Sequence, residues 1–173
     1  MEDTRNVVDE FKGVPQDQII AELDARYPDY LEIAVDNVTR DFNMGTIIRT
    51  ANAFGVRHVH VIGRKQWNKR GAMMTDTYLH VHYHQKADEF MQAVQGKTLV
   101  AVDNIEGSRM LGDKDLPRNA VLLFGAEGPG IREELIKEAA EIVAIEQHGS
   151  TRSINVGVAA GIVMYEWMRV HKR

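Results

Sequence analysis

Three short stretches of this sequence carry residue types that could do chemistry. In "NMGTIIRTANAFGV" (43–56), Asn43, Gly45 and Arg49 fall within two turns of a helical pattern. An arginine so placed is either a surface ion-pair partner or a holder of a phosphate or other anion. "FGAEGPGIREEL" (124–135) sets Gly125, Gly128 and Gly130 around Glu127 and a proline. Glycine lets backbone approach a ligand closely, and an acid in such a turn can accept hydrogen bonds or orient an arginine. The plainer alternative is a tight turn with Glu127 in solvent. The glycine spacing is not G-x-G-x-x-G and no Lys-Ser/Thr follows, which excludes a dinucleotide fingerprint and a P-loop. In "STRSINVGVAAGIVMYEW" (150–167), Ser153, Asn155 and Gly157 stand where an ordinary core helix would carry packing residues.

Two further stretches invite a function. His80, His82 and His84 share one face if "HVHYH" is extended, and alternating histidines can bind zinc. No carboxylate pattern nearby completes such a site, and a half-buried strand face is the simpler reading. "GRKQWNKRG" (63–71) surrounds Trp67 with Arg64, Lys65, Lys69 and Arg70. It is either a solvated loop or a nucleic-acid contact in which cations meet phosphates and Trp67 stacks on a base. No G-x-S-x-G elbow is present.

The elements that must position these residues alternate. A proline-started helix over "PQDQIIAELDARY" precedes a strand at "YLEIAVDNV". A helix follows over 43–56, with Asn43 as its N-cap, an apolar stripe of Met44, Ile47, Ile48, Ala51 and Phe54, and Gly55 at its end. "HVHVIG" reads as a strand, "KADEFMQAVQ" as a helix, and "TLVAVDN" and "AVLLFG" as strands. "IREELIKEAA" is helical, "EIVAIE" a strand, and the chain closes on a helix from "SINVG". This alternation predicts an α/β fold, a mostly parallel sheet flanked by helices, with ligands gathering at the C-terminal ends of the strands. In the last helix Ser153 is the expected cap, and Gly157, Ala159, Ala160 and Gly161 allow close packing. Val158, Ile162 and Tyr165 are expected to face the core.

The chain has 173 residues, enough for one domain with a substantial core. An N-terminal helical segment (1–30) is expected ahead of the main domain (31–173). The net charge of −4 argues against broad, nonspecific nucleic-acid binding. With no cysteine, disulfides, thiolate catalysis and thiolate-held metals are excluded. The polar N-terminus lacks the apolar core of a signal peptide and no apolar run is long enough for a membrane span, so a cytoplasmic protein is expected.

Taken together and in order, "NMGTIIRTANAFGV", "LLFGAEGPGI" and "SINVGVAAGIVMYE" resemble the three motifs of the SpoU/TrmH family of RNA 2′-O-methyltransferases, in the SPOUT superfamily. The resemblance covers about residues 31–170. Each motif alone is weak; the ordered triple is specific. It implies an α/β knot, with a deep trefoil knot near the C-terminus, a homodimer, and S-adenosylmethionine (S-adenosyl-L-methionine) bound in the knot. It further implies cofactor contacts from Val102, Gly125, Ile145 and Ile154, largely through backbone. Arg49 would be the catalytic arginine, with Asn43, Glu127, Ser153 and Asn155 ordering the site, no metal, and a tRNA or rRNA ribose 2′-hydroxyl as the methyl acceptor. The family proposal makes the arginine a general base. Arginine keeps its proton above pH ~12, so an electrostatic or phosphate-binding role stands beside it.

The sequence departs from the family where Ile-Pro and a hydrophobic residue usually precede the last motif: here Glu146, Gln147 and His148 follow Ile145. Gly157 stands where serine is common. Two rivals follow from the same residues. One is a noncatalytic RNA- or nucleotide-binding module with a degenerate methyltransferase fold, against which the retained Asn43, Arg49, Glu127, Ser153 and Asn155 speak. The other is a metal-dependent hydrolase using the histidine strand.

Overall fold

The computed structural model describes residues 3–27, 30–37, 43–126 and 128–171. Seven strands form one sheet: β1 (Glu32–Asn37), β2 (His58–Gly63), β3 (His80–His84), β4 (Thr98–Val102), β5 (Arg109–Met110), β6 (Ala120–Gly125) and β7 (Glu141–Ala144). All six pairings are parallel, in the spatial order β3-β2-β1-β6-β4-β7-β5. The helices are α1 (Gln16–Arg26), α2 (Met44–Ala53), α3 (Ala87–Ala93), α4 (Glu133–Glu138) and α5 (Val156–His171).

Both faces of the sheet are covered, as a parallel sheet requires. Alternate residues along each strand feed two cores. Ile33, Val35, Leu122 and Phe124 join Met44, Ile47 and Ile48 of α2 and Ala160, Val163, Met164 and Trp167 of α5. Ala34, Val121 and Leu123 join Phe90 of α3 and Leu135 of α4. The strand β6 is buried throughout because it lies in mid-sheet between β1 and β4. A smaller cluster of Phe11, Ile19 and Tyr78, with Val7, Val14 and Leu23 packed on it, attaches α1 beside β3. Arg57, almost wholly buried, joins the two: its Nε donates to Asp24 (2.7 Å) and its other nitrogen to the Tyr78 carbonyl (2.7 Å).

The expected helices and strands are present, and the sheet is more uniformly parallel than alternation alone required. Two expectations for α5 are corrected. Val158, Ile162 and Tyr165 are exposed at 54%, 40% and 54%. The inward face is Ala160, Val163, Met164 and Trp167, offset from them around the helix. Ser153 does not cap the helix either. The Asn155 side-chain oxygen accepts from the amides of Gly157 (2.9 Å) and Val158 (3.2 Å), and the Asn155 carbonyl accepts the first intrahelical bond from Ala159. Asn43 does occupy the N-cap position of α2, but its side chain makes no capping bond.

The small residues of α5 admit α2. A β-carbon on Gly157 would lie 3.2 Å from the Thr46 methyl, and one on Gly161 would lie 3.7 Å from the Thr50 methyl. Glycine at 157 therefore sets the approach of the two helices that carry the first and last motifs.

The histidines form a ladder rather than a metal site. Parallel register sets His58 beside His80 and His60 beside His82, with neighbouring rings stacked 4.8–5.1 Å apart. Their nitrogens satisfy one another, His58 to His82 at 2.7 Å and His60 to His84 at 2.9 Å. Carboxylates join the ladder, Glu32 on His60 at 2.8 Å and, at one end, Asp24 on His80 at 3.0 Å. Burial and the neighbouring His60, His58 and His84 press His82 down to about 4. Among the described residues no group of three or more His, Cys, Asp or Glu side chains is placed to hold a metal ion.

Candidate active site

The topology places the site. Strands β6, β4 and β7 are neighbours, so their C-terminal ends open side by side where strand order breaks from sequence order. Val102–Asn104, Phe124–Ala126 and Val143–Ile145 leave those ends, and Arg152–Val156 lead into α5. Together they line a cavity of about 570 Å³. That volume suits a nucleoside-sized ligand.

The turn after β6 explains its glycines. Ala126 and Gly130 form an antiparallel bridge, with Gly130 N donating to Ala126 O at 3.1 Å. Gly128 and Gly130 adopt φ of 95° and 71°, a region glycine enters freely. A β-carbon on Gly125 would fall 2.3 Å from the Gly130 carbonyl carbon and 2.5 Å from Ile131 N. Backbone is thus folded onto backbone at the cavity floor. Just beyond, Arg132 clamps the turn to β1. Its backbone N and Nε reach the fully buried Asp36 carboxylate at 2.9 Å, and a terminal nitrogen lies 2.8 Å from Oδ1.

All four expected cofactor contacts, Val102, Gly125, Ile145 and Ile154, line this cavity, as do Ser153 and Asn155. Asn155 Nδ2 donates to Asn43 Oδ1 at 2.8 Å, which joins the first motif to the last. Arg49 lies outside the cavity wall, on the exposed face of α2. It is one turn from Thr46, which packs on Gly157, and its guanidinium has no hydrogen bond or ion pair among the described residues. Glu127 lies outside the described residues.

Three lining residues escaped the sequence reading, Asp103, Asn104 and Arg152, while Gln147, noted there as a departure from the family pattern, also lines the cavity. Asp103 and Asn104 directly follow the strand that ends at Val102, so strand-end position was the available signal. The Asp36–Arg132 clamp joins residues far apart in sequence, and no local spacing announces it. The basic loop is also partly reassigned. Trp67 is half-buried against the main core, with Lys69 Nζ 5.4 Å from its ring, and is not a free stacking platform. Arg64, Lys65, Lys69 and Arg70 remain exposed.

Comparisons with known proteins agree with this arrangement. The model of the SpoU rRNA Methylase family matches residues 30–165. The tRNA (guanosine(18)-2′-O)-methyltransferase of Thermus thermophilus is 32% identical over 153 residues, covering 85% of this chain and 78% of that protein. The TrmH/SpoU tRNA modifying enzyme of A. aeolicus superposes with a TM-score of 0.79 at 23% identity, covering 91% of this chain and 84% of that one. The AdoMet-bound rRNA methyltransferase of Sinorhizobium meliloti superposes with a TM-score of 0.74 at 29% identity, covering 85% and 59%. With the second and third motifs lining one strand-end cavity, the first joined to it through the Asn43–Asn155 bond, and a family match over most of its length, the chain belongs to the SpoU rRNA methylase family.

Proposed function

We propose that this chain methylates a ribose 2′-hydroxyl of tRNA, with Arg49, Asn43 and Asn155 at the reacting end of the cavity. The chain is an S-adenosylmethionine-dependent RNA 2′-O-methyltransferase. tRNA is the finer choice, favoured by the relative from Thermus thermophilus, whose length this chain largely spans.

The observation that carries the reading is the Asn155–Asn43 bond, because it couples the cavity wall to the helix bearing Arg49. The cavity fits the cofactor in kind: aliphatic walls from Val102, Val143, Ile145 and Ile154, a backbone cradle at Gly125, and polar groups at its edge. S-adenosylmethionine, when bound, supplies a sulfonium-activated methyl group. The chain's own task is then to hold the acceptor oxygen in line and to stabilise charge as its proton leaves. Arg49 suits that task as a fixed cation. Its exposed guanidinium offers paired donors for a phosphate or for the developing alkoxide. Ser153, which lines the cavity, and Glu127 of the second motif complete the proposed polar set.

Substrate RNA would lie across Arg64, Lys65, Lys69 and Arg70, with residues 1–30 as an appended segment beside the 31–173 domain. Exposed Val158, Ile162 and Tyr165, with Leu111 and Gly161, form an apolar groove on α5 that we assign to a second copy of the chain. The trefoil knot and a cytoplasmic location complete the proposal; no helix among the described residues is long and apolar enough to cross a membrane.

The test pairs binding with turnover. Calorimetry should show S-adenosylmethionine binding to wild type and to Arg49→Ala alike. Nucleoside mass spectrometry should show 2′-O-methylation of tRNA by wild type alone. Folded wild type that binds no cofactor would overturn the proposal, and methylation of rRNA but not tRNA would move the substrate assignment.

A further inference from the structure

One polar atom in the cavity has nothing to do in the free protein. The Gln147 side-chain oxygen is buried and has no hydrogen-bond partner among the described residues. A buried acceptor without a donor is disfavoured, so a site that keeps one is suited to a ligand that supplies the donor. Three other polar side chains of the wall are already engaged. Asp103 accepts from the Asn104 amide at 2.8 Å, Asn104 Nδ2 donates to the Arg152 carbonyl at 3.2 Å, and Asn155 is held by Gly157, Val158 and Asn43.

Gln147 also stands at a particular place. It follows β7 by three residues, beyond the aliphatic Val143, Ala144 and Ile145 that line the same wall. Aliphatic walls ending in a primary amide match a planar heterocycle whose faces are apolar and whose edge is polar. A glutamine amide presents an acceptor beside a donor, the complement of adenine's exocyclic amino group and adjacent ring nitrogen.

We propose that Gln147 reads the adenine edge of the cofactor, its Oε1 accepting from the 6-amino group, and so sets this enzyme's preference for a purine that carries a 6-amino donor over one that lacks it. The inference rests on the cofactor reading given above. It makes Gln147 a binding residue of this chain and leaves the reacting end to Asn43, Asn155 and Arg49.

The test uses S-adenosylhomocysteine and its 6-deamino analogue, which carries hydrogen in place of the 6-amino group, with this chain and calorimetry. Wild type should favour the adenosyl compound by about tenfold, because the analogue leaves the buried Gln147 oxygen without a donor. Gln147→Met, close in length and shape, should bind the two within about twofold of each other. Its melting temperature without ligand should equal or exceed that of wild type, since the unpaired acceptor is gone. A preference that survives in Gln147→Met, or no preference in wild type, overturns the inference. Wild type binding neither compound would instead overturn the cofactor reading beneath it.

Discussion

Replacing Asn155 by alanine tests the junction on which the site depends. Two contributions are lost at once. The side-chain oxygen caps α5 through Gly157 and Val158, and removing an asparagine cap costs about 1 kcal/mol. The Nδ2 bond to Asn43 contributes about another 1 kcal/mol. Asn155 is exposed, so no cavity term is added. The sum, about 2 kcal/mol, corresponds for a chain of this size to a fall of about 4–8 °C in melting temperature. Asn155→Asp separates the parts. It keeps an oxygen on the two amides and places negative charge at a helix N-terminus, where the dipole favours it. That variant should recover at least the capping share, about half of the loss. The assay is thermal denaturation followed by circular dichroism, for wild type and both variants side by side. If Asn155→Asp melted as low as Asn155→Ala, Asn155 would not be acting as a cap and the reasoning would fail.

Four further outcomes are expected. Asp36→Ala strands Arg132 and empties a fully buried position, and should cost about 3–5 kcal/mol in chemical denaturation, whereas breaking an exposed ion pair such as Lys137–Glu133 should leave the midpoint almost unchanged. Gly125→Ala forces a β-carbon into the Gly130 backbone, and should abolish S-adenosylmethionine binding in calorimetry even where circular dichroism shows the fold retained. Burial and its histidine neighbours hold His82 at about 4, below the ordinary 6.5, so the unfolded chain binds more protons between those values. Stability should therefore be complete above about pH 6.5 and decline as pH falls towards 4, and His82→Phe should flatten that part of the stability profile. Ile162→Asp places a charge in the apolar groove of α5, and should shift sedimentation from dimer to monomer without lowering the melting temperature of the monomer.

What the sequence disclosed follows from the range of the forces involved. Helix and strand periodicity is local, and the stripe of Met44, Ile47, Ile48 and Ala51 was legible because each residue reports its own face. The cavity wall was legible in part, since Val102, Gly125 and Ile145 stand at strand ends that the alternation had located, while Ile154, before α5, came from the resemblance of the last motif. The sheet order was not. Nothing near residue 120 says that β6 enters between β1 and β4, because that choice is made by packing across the whole domain. The face of α5 misled for a related reason. The helix is apolar nearly all round, so periodicity could not distinguish Val163 and Met164, which meet the core, from Ile162 and Tyr165, which do not. Capping failed by two residues because Ser153 and Asn155 are both good caps. Only the hydrogen bonds to Gly157 and Val158 show which one the chain uses.

The meeting of Gly45 and Gly71 bears on how such an enzyme could change its RNA. A β-carbon on Gly45 would lie 2.7 Å from the Ala72 backbone nitrogen, and one on Gly71 would lie 3.2 Å from Thr46 N. The chain leaving the basic loop is thus pressed against the first turn of α2, the helix that bears Arg49. One end of residues 64–70 is moored to α2, and Trp67 within the stretch is seated on the main core. On the roles proposed above, a lineage could change the exposed cations of this loop and so its RNA while Arg49 kept its place, with the two glycines as the joint between them.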